Sequence, residues 1–296
     1  MPALLEESMS LLLPAARGRG SPIFVDATFG AGGHTAAILA RCPTARVIAL
    51  DADPAAAARA RELESSTAGR VTPVHANFAQ LGDALDALDC SEVDGIMYDL
   101  GLSSLQLSDL ERGFAFSGTG ALDMRLDPSS EAPTAATLLA TLKEGEIADI
   151  IFEYGDERNA RRIAHQIVRR RERSPLRSTS DLVAAVLSAQ PRSKRRTAIH
   201  PATRTFLALR MAVNRELESL EQTLSTAIRY VRPGGRIAVI SFHSGEDRVV
   251  KRQFAAWRVA GLVEVLTRKP LTPSALEIAA NPRSRSAKLR AAQRSA

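Results

Sequence analysis

The stretch Asp26-Ala27-Thr28-Phe29-Gly30-Ala31-Gly32-Gly33-His34-Thr35 decides the fold. An apolar run over 23–25 precedes it and an alanine-rich run over 36–40 follows it, so the sequence predicts a strand, a glycine-rich turn and a helix in that order. Glycine tolerates positive φ and has no Cβ, which lets backbone N–H groups at such a turn approach a ligand closely. The stretch therefore predicts a binding site for a nucleotide-like cofactor.

Acidic residues end two further predicted strands. A strand over 46–50 leads into Asp51, which lies 18 positions after Gly33 (51 − 33), about where a doubly wound fold places the carboxylate that binds a ribose. A buried-strand pattern over 93–100 delivers Asp99 near its carboxyl end. Because ligands bind at the carboxyl edge of an open α/β sheet, both acids are candidate site residues.

Strand-like and helical segments alternate in the N-terminal part of the chain. The strand-like segments lie at 23–29, 46–52, 71–77 and 93–100, with the spacing of βαβ units that build a parallel sheet. A segment rich in Ser, Gly, Asp and Pro breaks this pattern over 103–135, and apolar residues at helical spacing follow over 137–190. The remaining segments are predicted as one long amphipathic helix over 203–230 and strands over 236–242 and 263–267.

This order of elements predicts an α/β fold with a Rossmann-like, mostly parallel sheet and an all-helical insertion after the fourth strand. We expect residues 1–104 and 200–296 to form one discontinuous sheet domain. Residues 105–199 are expected to form a basic, helical insertion that recognises the substrate.

The composition is typical of a globular cytoplasmic protein. The chain has 296 residues, of which 45% are hydrophobic, enough for a substantial core. No apolar run approaches the ~20 residues that a membrane helix needs, and the N-terminus lacks the basic region of a signal peptide. The two cysteines, Cys42 and Cys90, belong to no close Cys/His cluster, so we expect a reducing cytoplasm and no metal site.

The basic residues are clustered, and the net charge is +6. One cluster spans 158–177 and a last group spans 283–294, while a third consists of Arg192, Lys194, Arg195 and Arg196. Such clusters suit a polyanion, with RNA or DNA the usual candidate. A solvated helix face is the alternative interpretation of any single cluster, and the three together favour nucleic acid.

The glycine-rich turn also bears on the type of cofactor. A dinucleotide motif would place a third glycine where Thr35 stands, and the absence of a Gly-Lys-Ser/Thr sequence excludes a P-loop nucleotidase. Methyltransferases that use S-adenosylmethionine (SAM) commonly have an acidic residue ahead of the loop, the position of Asp26, and another after the second strand, the position of Asp51. The pattern therefore favours methyl transfer, and a nicotinamide-dependent oxidoreductase is the alternative.

Several motifs resemble one family over nearly the whole chain. The motifs include 28–34 (TFGAGGH), 51–54 (DADP), 99–104 (DLGLSS), 122–128 (LDMRLDP), 154–158 (YGDER), 200–206 (HPATRTF), 241–244 (SFHS) and 281–286 (NPRSRS). They are similar to those of the ribosomal RNA small subunit methyltransferase H family. The resemblance implies SAM-dependent methylation of N4 of a cytidine in the decoding region of 16S rRNA, with the small ribosomal subunit as partner and a monomer or homodimer as the assembly.

The resemblance also implies roles for individual residues. By it, Gly32, Gly33 and His34 contact the cofactor, Asp51 binds its ribose, Phe78 packs on its adenine, and Asp99 and Gln106 complete the pocket. Asp26 and Gly30 belong to the same cofactor loop. From the residues alone, Phe78 is equally a core aromatic just past a strand end.

The cytosine amine is a poor nucleophile, so the site needs an acceptor for its N–H groups beside the methyl donor. Our hypothesis is that Asp99, or a backbone carbonyl just after it, positions N4, with Ser103 or Ser104 assisting. The candidate RNA contacts are Arg158, Arg161, Arg162, Arg169, Arg170, His200, Arg204 and His243. For Asp123 and Arg125 we expect an internal ion pair. A non-enzymatic RNA-binding assembly factor is the remaining alternative.

Overall fold

A computed structural model describes residues 2–116, 118–190 and 200–296. The chain divides into two compact units, one made of Met1–Leu102 with Leu217–Ala296 and the other of Ser103–Glu216. The second unit ends at Glu216 rather than at the expected residue 199. The difference arises because the helix over 203–214 packs on the helix over 144–155 within the second unit.

Seven strands form one sheet in the first unit: β1 (Ile23–Asp26), β2 (Arg46–Asp51), β3 (Val71–His75), β4 (Val93–Asp99), β5 (Val231–Ser241), β6 (Val263–Val265) and β7 (Lys288–Arg294). Their order across the sheet is β3-β2-β1-β4-β5-β7-β6. The pairs from β3 to β5 are parallel, and β7 is antiparallel to both of its neighbours. The carboxyl ends of β1, β2, β4 and β5 therefore meet at one edge, where ligands bind in such sheets.

The helices connect and cover these strands. In chain order they are α1 (Leu5–Leu12), α2 (Gly33–Arg41), α3 (Pro54–Ser66), α4 (Leu81–Ala87), α5 (Ser104–Ser108), α6 (Ala135–Thr141), α7 (Glu144–Gly155), α8 (Ala160–Arg171), α9 (Thr179–Ala189), α10 (Thr203–Asn214), α11 (Glu216–Tyr230), α12 (Ser244–Val259) and α13 (Ala275–Ala280). Of the helices in the described ranges, none combines the length and the apolar character that spanning a membrane requires.

Helices cover both faces of the sheet, which explains why its central strands are mostly apolar. Phe24 of β1 and Met97 of β4 belong to an apolar cluster that also contains residues of α1, α2 and α3. Their neighbours along the chain, Val25 and Ile96, belong to a second cluster with residues of α4, α11 and α12. Since successive side chains of a strand point to opposite faces, the two clusters are the two layers of the core.

The second unit is helical, with α7 and α10 packed closely together. Gly155 permits this approach, because a Cβ at residue 155 would lie 2.6 Å from the carbonyl oxygen of Arg204. Side-chain contacts stabilise the long loop before α6. The guanidinium of Arg125 pairs with the carboxylate of Asp123 at 2.7 Å, and this contact confirms the expected ion pair. Asn214 at the end of α10 holds the same loop, because its side chain accepts the Leu126 N–H at 2.7 Å.

The prediction of one long helix over 203–230 is wrong. The helix breaks at Arg215, which adopts the left-handed conformation with φ 49° between α10 and α11. The break is stabilised locally, since Glu216 turns back to form two hydrogen bonds of 2.7 Å with the guanidinium of Arg210. In addition, β5 begins at Val231 rather than at 236, and β7 was not predicted at all.

Candidate active site

The glycine-rich turn joins β1 to α2 in the way that its sequence predicts. Gly32 has φ 79° and immediately precedes the first residue of α2. Its N–H donates to the carbonyl of Phe29 at 2.7 Å, and a Cβ at residue 32 would lie 2.7 Å from the Phe29 ring. Both the left-handed backbone and the lack of space therefore require glycine here, and the N-terminus of α2 faces the same edge of the sheet as the strand ends.

Asp26, at the end of β1, is buried and is held by the first turn of α2. Its carboxylate accepts a hydrogen bond of 2.7 Å from the hydroxyl of Thr35 and one of 3.4 Å from the N–H of Thr28. Burial raises the pKa of Asp26 to about 6, although the bond from Thr35 opposes the rise. Thr35, which stands where a dinucleotide-binding motif has its third glycine, therefore fixes the position of this carboxylate.

Asp51, at the end of β2, is bonded to the glycine-rich turn. Oδ2 accepts the Gly30 N–H at 2.7 Å, and Oδ1 accepts the Asp53 N–H at 2.9 Å. Burial raises the pKa of Asp51. Each carboxylate oxygen has a second lone pair, so Asp51 can also accept a hydroxyl group of a ligand.

Asp99, at the end of β4, has the most unusual surroundings of the three carboxyl groups. Its Oδ1 is buried and has no hydrogen-bond partner among the residues that the structure describes, and its Oδ2 lies 3.6 Å from Nδ1 of His34. Burial, followed by the nearby charges of Asp26 and Glu246, raises the pKa of Asp99 to about 8. A buried acceptor without a partner is suited to receive a donor from a ligand.

His34, the second residue of α2, remains neutral in this position. Its ring is buried, and burial lowers the pKa of His34 to about 4. Below about pH 8 the carboxyl of Asp99 carries a proton, so the pair is uncharged near neutrality. A positive charge brought beside Asp99 would favour loss of that proton.

Phe78 follows β3 at the same edge of the sheet and begins a short 3-10 helix over 78–80. Its ring packs edge to face on Tyr98, with centroids 6.2 Å apart and planes at 86°. The Tyr98 hydroxyl is itself bonded to Thr223 at 2.8 Å. Phe78 is therefore held on the core while part of its ring stays accessible.

The first turn of α12, directly after β5, contributes a buried acid that the sequence analysis missed. Oε2 of Glu246 accepts the N–H of Phe242 at 2.8 Å, and Oε1 lies 3.1 Å from Nε2 of His243. His243 caps α12, since its Nδ1 accepts the Gly245 N–H at 3.1 Å. A capping pair three residues apart, directly after an apolar strand, is the sequence signal that could have revealed Glu246.

Three of the candidate catalytic or cofactor-binding residues belong to the second unit. Ser103 caps α5: its hydroxyl accepts the Gln106 N–H at 3.2 Å, and the Gln106 side chain accepts the Ser103 N–H at 2.9 Å. Ser104 is the exposed first residue of that helix. The roles of Ser103, Ser104 and Gln106 toward cofactor or substrate stay predictions.

The structure also places the candidate RNA contacts of the second unit. Exposed arginines of α8 and of the turn before it are Arg158, Arg161, Arg162, Arg169 and Arg170. Arg171 differs, since it donates to the carbonyls of Leu139 and Leu142 at the C-terminal end of α6. Arg204 donates to the carbonyl of Asp156 at 3.1 Å, and His200 stacks on Phe116. The cluster at 192–196 lies outside the described residues.

The sheet order, with one antiparallel strand between β5 and β6, and the acidic residues beside a glycine-rich turn define the class I SAM-dependent methyltransferase fold. Residues 1–295 match the MraW methylase family. The chain belongs to this family, which favours methyl transfer over the nicotinamide alternative.

Relatives match over their full length. A protein of Magnetococcus marinus is 47% identical over 98% of this chain and 97% of its own length, and one of Heliobacterium mobile is 46% identical over 99% and 98%. Both are named ribosomal RNA small subunit methyltransferase H. A crystal structure of an rRNA methylase from Streptococcus thermophilus aligns with a TM-score of 0.43 at 10% identity, covering 99% of this chain and 94% of that one.

Proposed function

We propose that the protein transfers a methyl group from SAM to N4 of a cytidine in the decoding region of 16S rRNA. Membership in a methylase family and the names of the relatives support this proposal. The observation that supports the proposal most strongly is the group of three carboxyl side chains at the ends of β1, β2 and β4. One of these carboxyl groups, that of Asp99, has a buried oxygen without a hydrogen-bond partner among the described residues.

The residues present fit SAM. SAM supplies an electrophilic methyl group on a positively charged sulfonium, and its methionine end carries an ammonium group. The first turn of α2, which begins at Gly33, offers backbone N–H groups. Asp26 suits the ammonium group, and Asp51 suits the ribose hydroxyls. The partly accessible ring of Phe78 suits the flat face of adenine.

Asp99 is the residue that we assign to the acceptor amine. The lone pair of N4 is delocalised into the cytosine ring, so the amine must be aligned with the methyl donor and must lose a proton as the N–C bond forms. With a pKa of about 8, Asp99 of the free protein is protonated near neutral pH. The positive charge of bound SAM favours loss of that proton, and the ionised carboxylate can then accept N4–H and take its proton. In this proposal Ser103 or Ser104 assists by orienting the base.

The substitution Asp99→Asn tests this assignment. It keeps the shape of the side chain and removes the basic oxygen, so we expect kcat to fall by at least ~10²-fold while SAM still binds. A variant with nearly unchanged kcat and a raised KM for SAM would show that Asp99 serves the cofactor alone.

The exposed arginines around α8 are proposed to bind RNA phosphates. A protein that releases counterions loses affinity steeply as salt rises. The double variant Arg161→Gln/Arg162→Gln should therefore bind RNA more weakly and show a smaller salt slope than Arg59→Gln/Arg61→Gln on α3, a control of equal charge change. Equal slopes for the two double variants would contradict the assignment.

Methyl transfer to partly assembled small subunits, followed by mass mapping of the modified nucleoside, tests the whole proposal. We expect one N4-methylcytidine in the decoding region, which must be splayed out of its RNA context to reach the site. Binding of subunits without transfer would favour the assembly-factor alternative, and calorimetry that detects NAD but not SAM would favour an oxidoreductase. Sedimentation of the free protein distinguishes a monomer from a homodimer.

A further inference from the structure

Three aromatic rings form a group within the second unit. The rings of Phe116 and His200 are stacked, with centroids 4.6 Å apart and planes at 8°. Phe206 of α10 meets Phe116 edge to face at 6.0 Å and 84°. We call Phe116, His200 and Phe206 the aromatic stack. Residues far apart in sequence thus present one layered aromatic surface.

Two members of the aromatic stack are exposed, namely the middle ring, Phe116, and the outer ring, His200. Phe116 is 39% exposed and His200 is classed with the exposed residues, whereas Phe206 is 4% exposed and anchors the group in the core. Because Phe116 is exposed, its ring does not serve to fill the core. A supported, exposed aromatic surface is the arrangement that binds unpaired bases in single-stranded RNA.

The imidazole of His200 is fixed in orientation. Its Nδ1 accepts the Ala202 N–H at 3.2 Å. In the neutral ring the proton therefore resides on Nε2, which can donate to a base or a phosphate. His200 thus combines a flat surface with a directed donor.

A cation adjoins the aromatic stack along the chain. Arg204, in the first turn of α10, donates to the carbonyl of Asp156 at 3.1 Å, a bond that orients the guanidinium and leaves its positive charge intact. Arg158 follows two residues after Asp156 and is exposed. Stacking surfaces with neighbouring cations are typical of proteins that bind single-stranded nucleic acid.

We propose that the aromatic stack binds one unpaired nucleobase of the RNA, with the exposed ring of His200 as the stacking surface, Phe116 supporting that ring from behind, and Arg204 contacting the adjacent phosphate. This inference rests on the proposed function, since it assumes that RNA is the substrate. It assigns to Phe116 a role in binding that the sequence did not suggest. A protein partner at this surface is the alternative that the experiment must exclude.

The test uses the full chain and short single-stranded RNAs of decoding-region sequence in which one base at a time is replaced by 2-aminopurine. Stacking on an aromatic ring quenches this fluorophore, so we expect strong quenching at one position. Phe116→Leu should abolish that quenching and weaken RNA binding about tenfold, the loss expected for one stacked base. Phe116→Trp should retain both, because it keeps an aromatic surface.

Phe152→Leu is the matched control, since Phe152 is an exposed phenylalanine of α7 in the same unit, 61% exposed. Equal thermal midpoints and equal SAM binding for all variants show that folding is intact. An abasic site at the quenched position should make the wild type and Phe116→Leu bind equally well. That result is specific to base stacking and is not expected of a protein-binding surface.

The two proposals can fail separately. Suppose that the wild type binds RNA and transfers the methyl group. If Phe116→Leu then binds RNA as tightly as the wild type, or if Phe152→Leu loses as much RNA affinity as Phe116→Leu, the base-binding role is overturned and the proposed function still stands. Quenching that depends on Phe116 in a protein that transfers no methyl group would support the base-binding role and overturn the proposed function.

Discussion

The carboxylate of Asp51 accepts the Gly30 N–H at 2.7 Å, so the end of β2 fixes the turn that follows β1. Its other oxygen accepts the Asp53 N–H, and the Asp53 side chain in turn accepts the Ala55 N–H at 3.0 Å to cap α3. One acidic residue therefore organises both turns beside which we place the ribose of SAM. The carboxylate of Asp51 therefore stabilises the local structure and is also placed to bind the ligand.

Asp51→Asn should weaken SAM binding roughly tenfold, because hydrogen bonds to a charged acceptor are each worth ~1.5–3 kcal/mol and the amide nitrogen of Asn places a donor against a donor. Isothermal titration calorimetry measures the change. Asp109→Asn is the control, since the Asp109 side chain likewise accepts a backbone N–H, that of Glu111 in the second unit. Unchanged affinity in Asp51→Asn would contradict the assigned role.

The raised pKa of Asp99 predicts how stability depends on pH. The folded protein keeps the Asp99 proton up to about pH 8, whereas the unfolded chain loses it near pH ~3.9. Between these values the folded state binds more protons, so the free energy of unfolding falls as pH rises. Asp99→Asn removes this decline, and its thermal midpoint relative to the wild type should increase from about pH 5 to about pH 8. A difference in thermal midpoint that stays constant with pH would count against the shifted pKa.

SAM binding should become tighter as pH rises from about 5 to about 7.5, because a positively charged ligand favours the ionised carboxyl groups. Asp26, with a pKa of about 6, and Asp99, with a pKa of about 8, are the groups that release protons. Calorimetry in two buffers of different ionisation enthalpy counts those protons. Binding without proton release at neutral pH would disprove the linkage.

The break between α10 and α11 predicts opposite effects for two glycine substitutions. Arg215 is exposed and left-handed, a conformation that costs other residues roughly 1–2 kcal/mol relative to glycine, so Arg215→Gly should raise the free energy of unfolding by up to about 1 kcal/mol. Glu221→Gly, in the exposed interior of α11, should lower it by about 1 kcal/mol. Urea denaturation compares the two. If both variants are less stable than the wild type, the side-chain contacts of Arg215 contribute more free energy than its left-handed backbone costs.

The first four strands could be predicted from sequence because each is a short apolar run that ends at polar or glycine-rich residues. β7 could not, since Lys288-Leu-Arg-Ala-Ala-Gln-Arg has little intrinsic preference for strand and becomes one by pairing with β5 and β6. The break at Arg215 was missed for a similar reason. The apolar spacing continues across it, and the Arg210–Glu216 pair that stabilises it cannot be recognised from helical periodicity.

In the candidate site, too, the features that depend on local sequence could be predicted and those that depend on tertiary packing could not. Asp51 and Asp99 were predicted because parallel strands bring their carboxyl ends to one edge. Asp26 was predicted from the acidic residue that commonly precedes the loop of SAM-dependent methyltransferases. The bond from Thr35 to Asp26, the influence of Glu246 on Asp99 and the stacking of His200 on Phe116 depend on tertiary packing. No spacing rule connects residues so far apart in the chain.

The position of β7 has a consequence for how the protein is made. On the ribosome, β5 and β6 are synthesised before the strand that must lie between them, so one edge of β5 stays unpaired until residues 288–294 have emerged. An open strand edge invites pairing with other nascent chains. The second unit is contiguous and is complete much earlier. Fragments that stop short of Lys288 would therefore leave this edge of β5 open to such pairing.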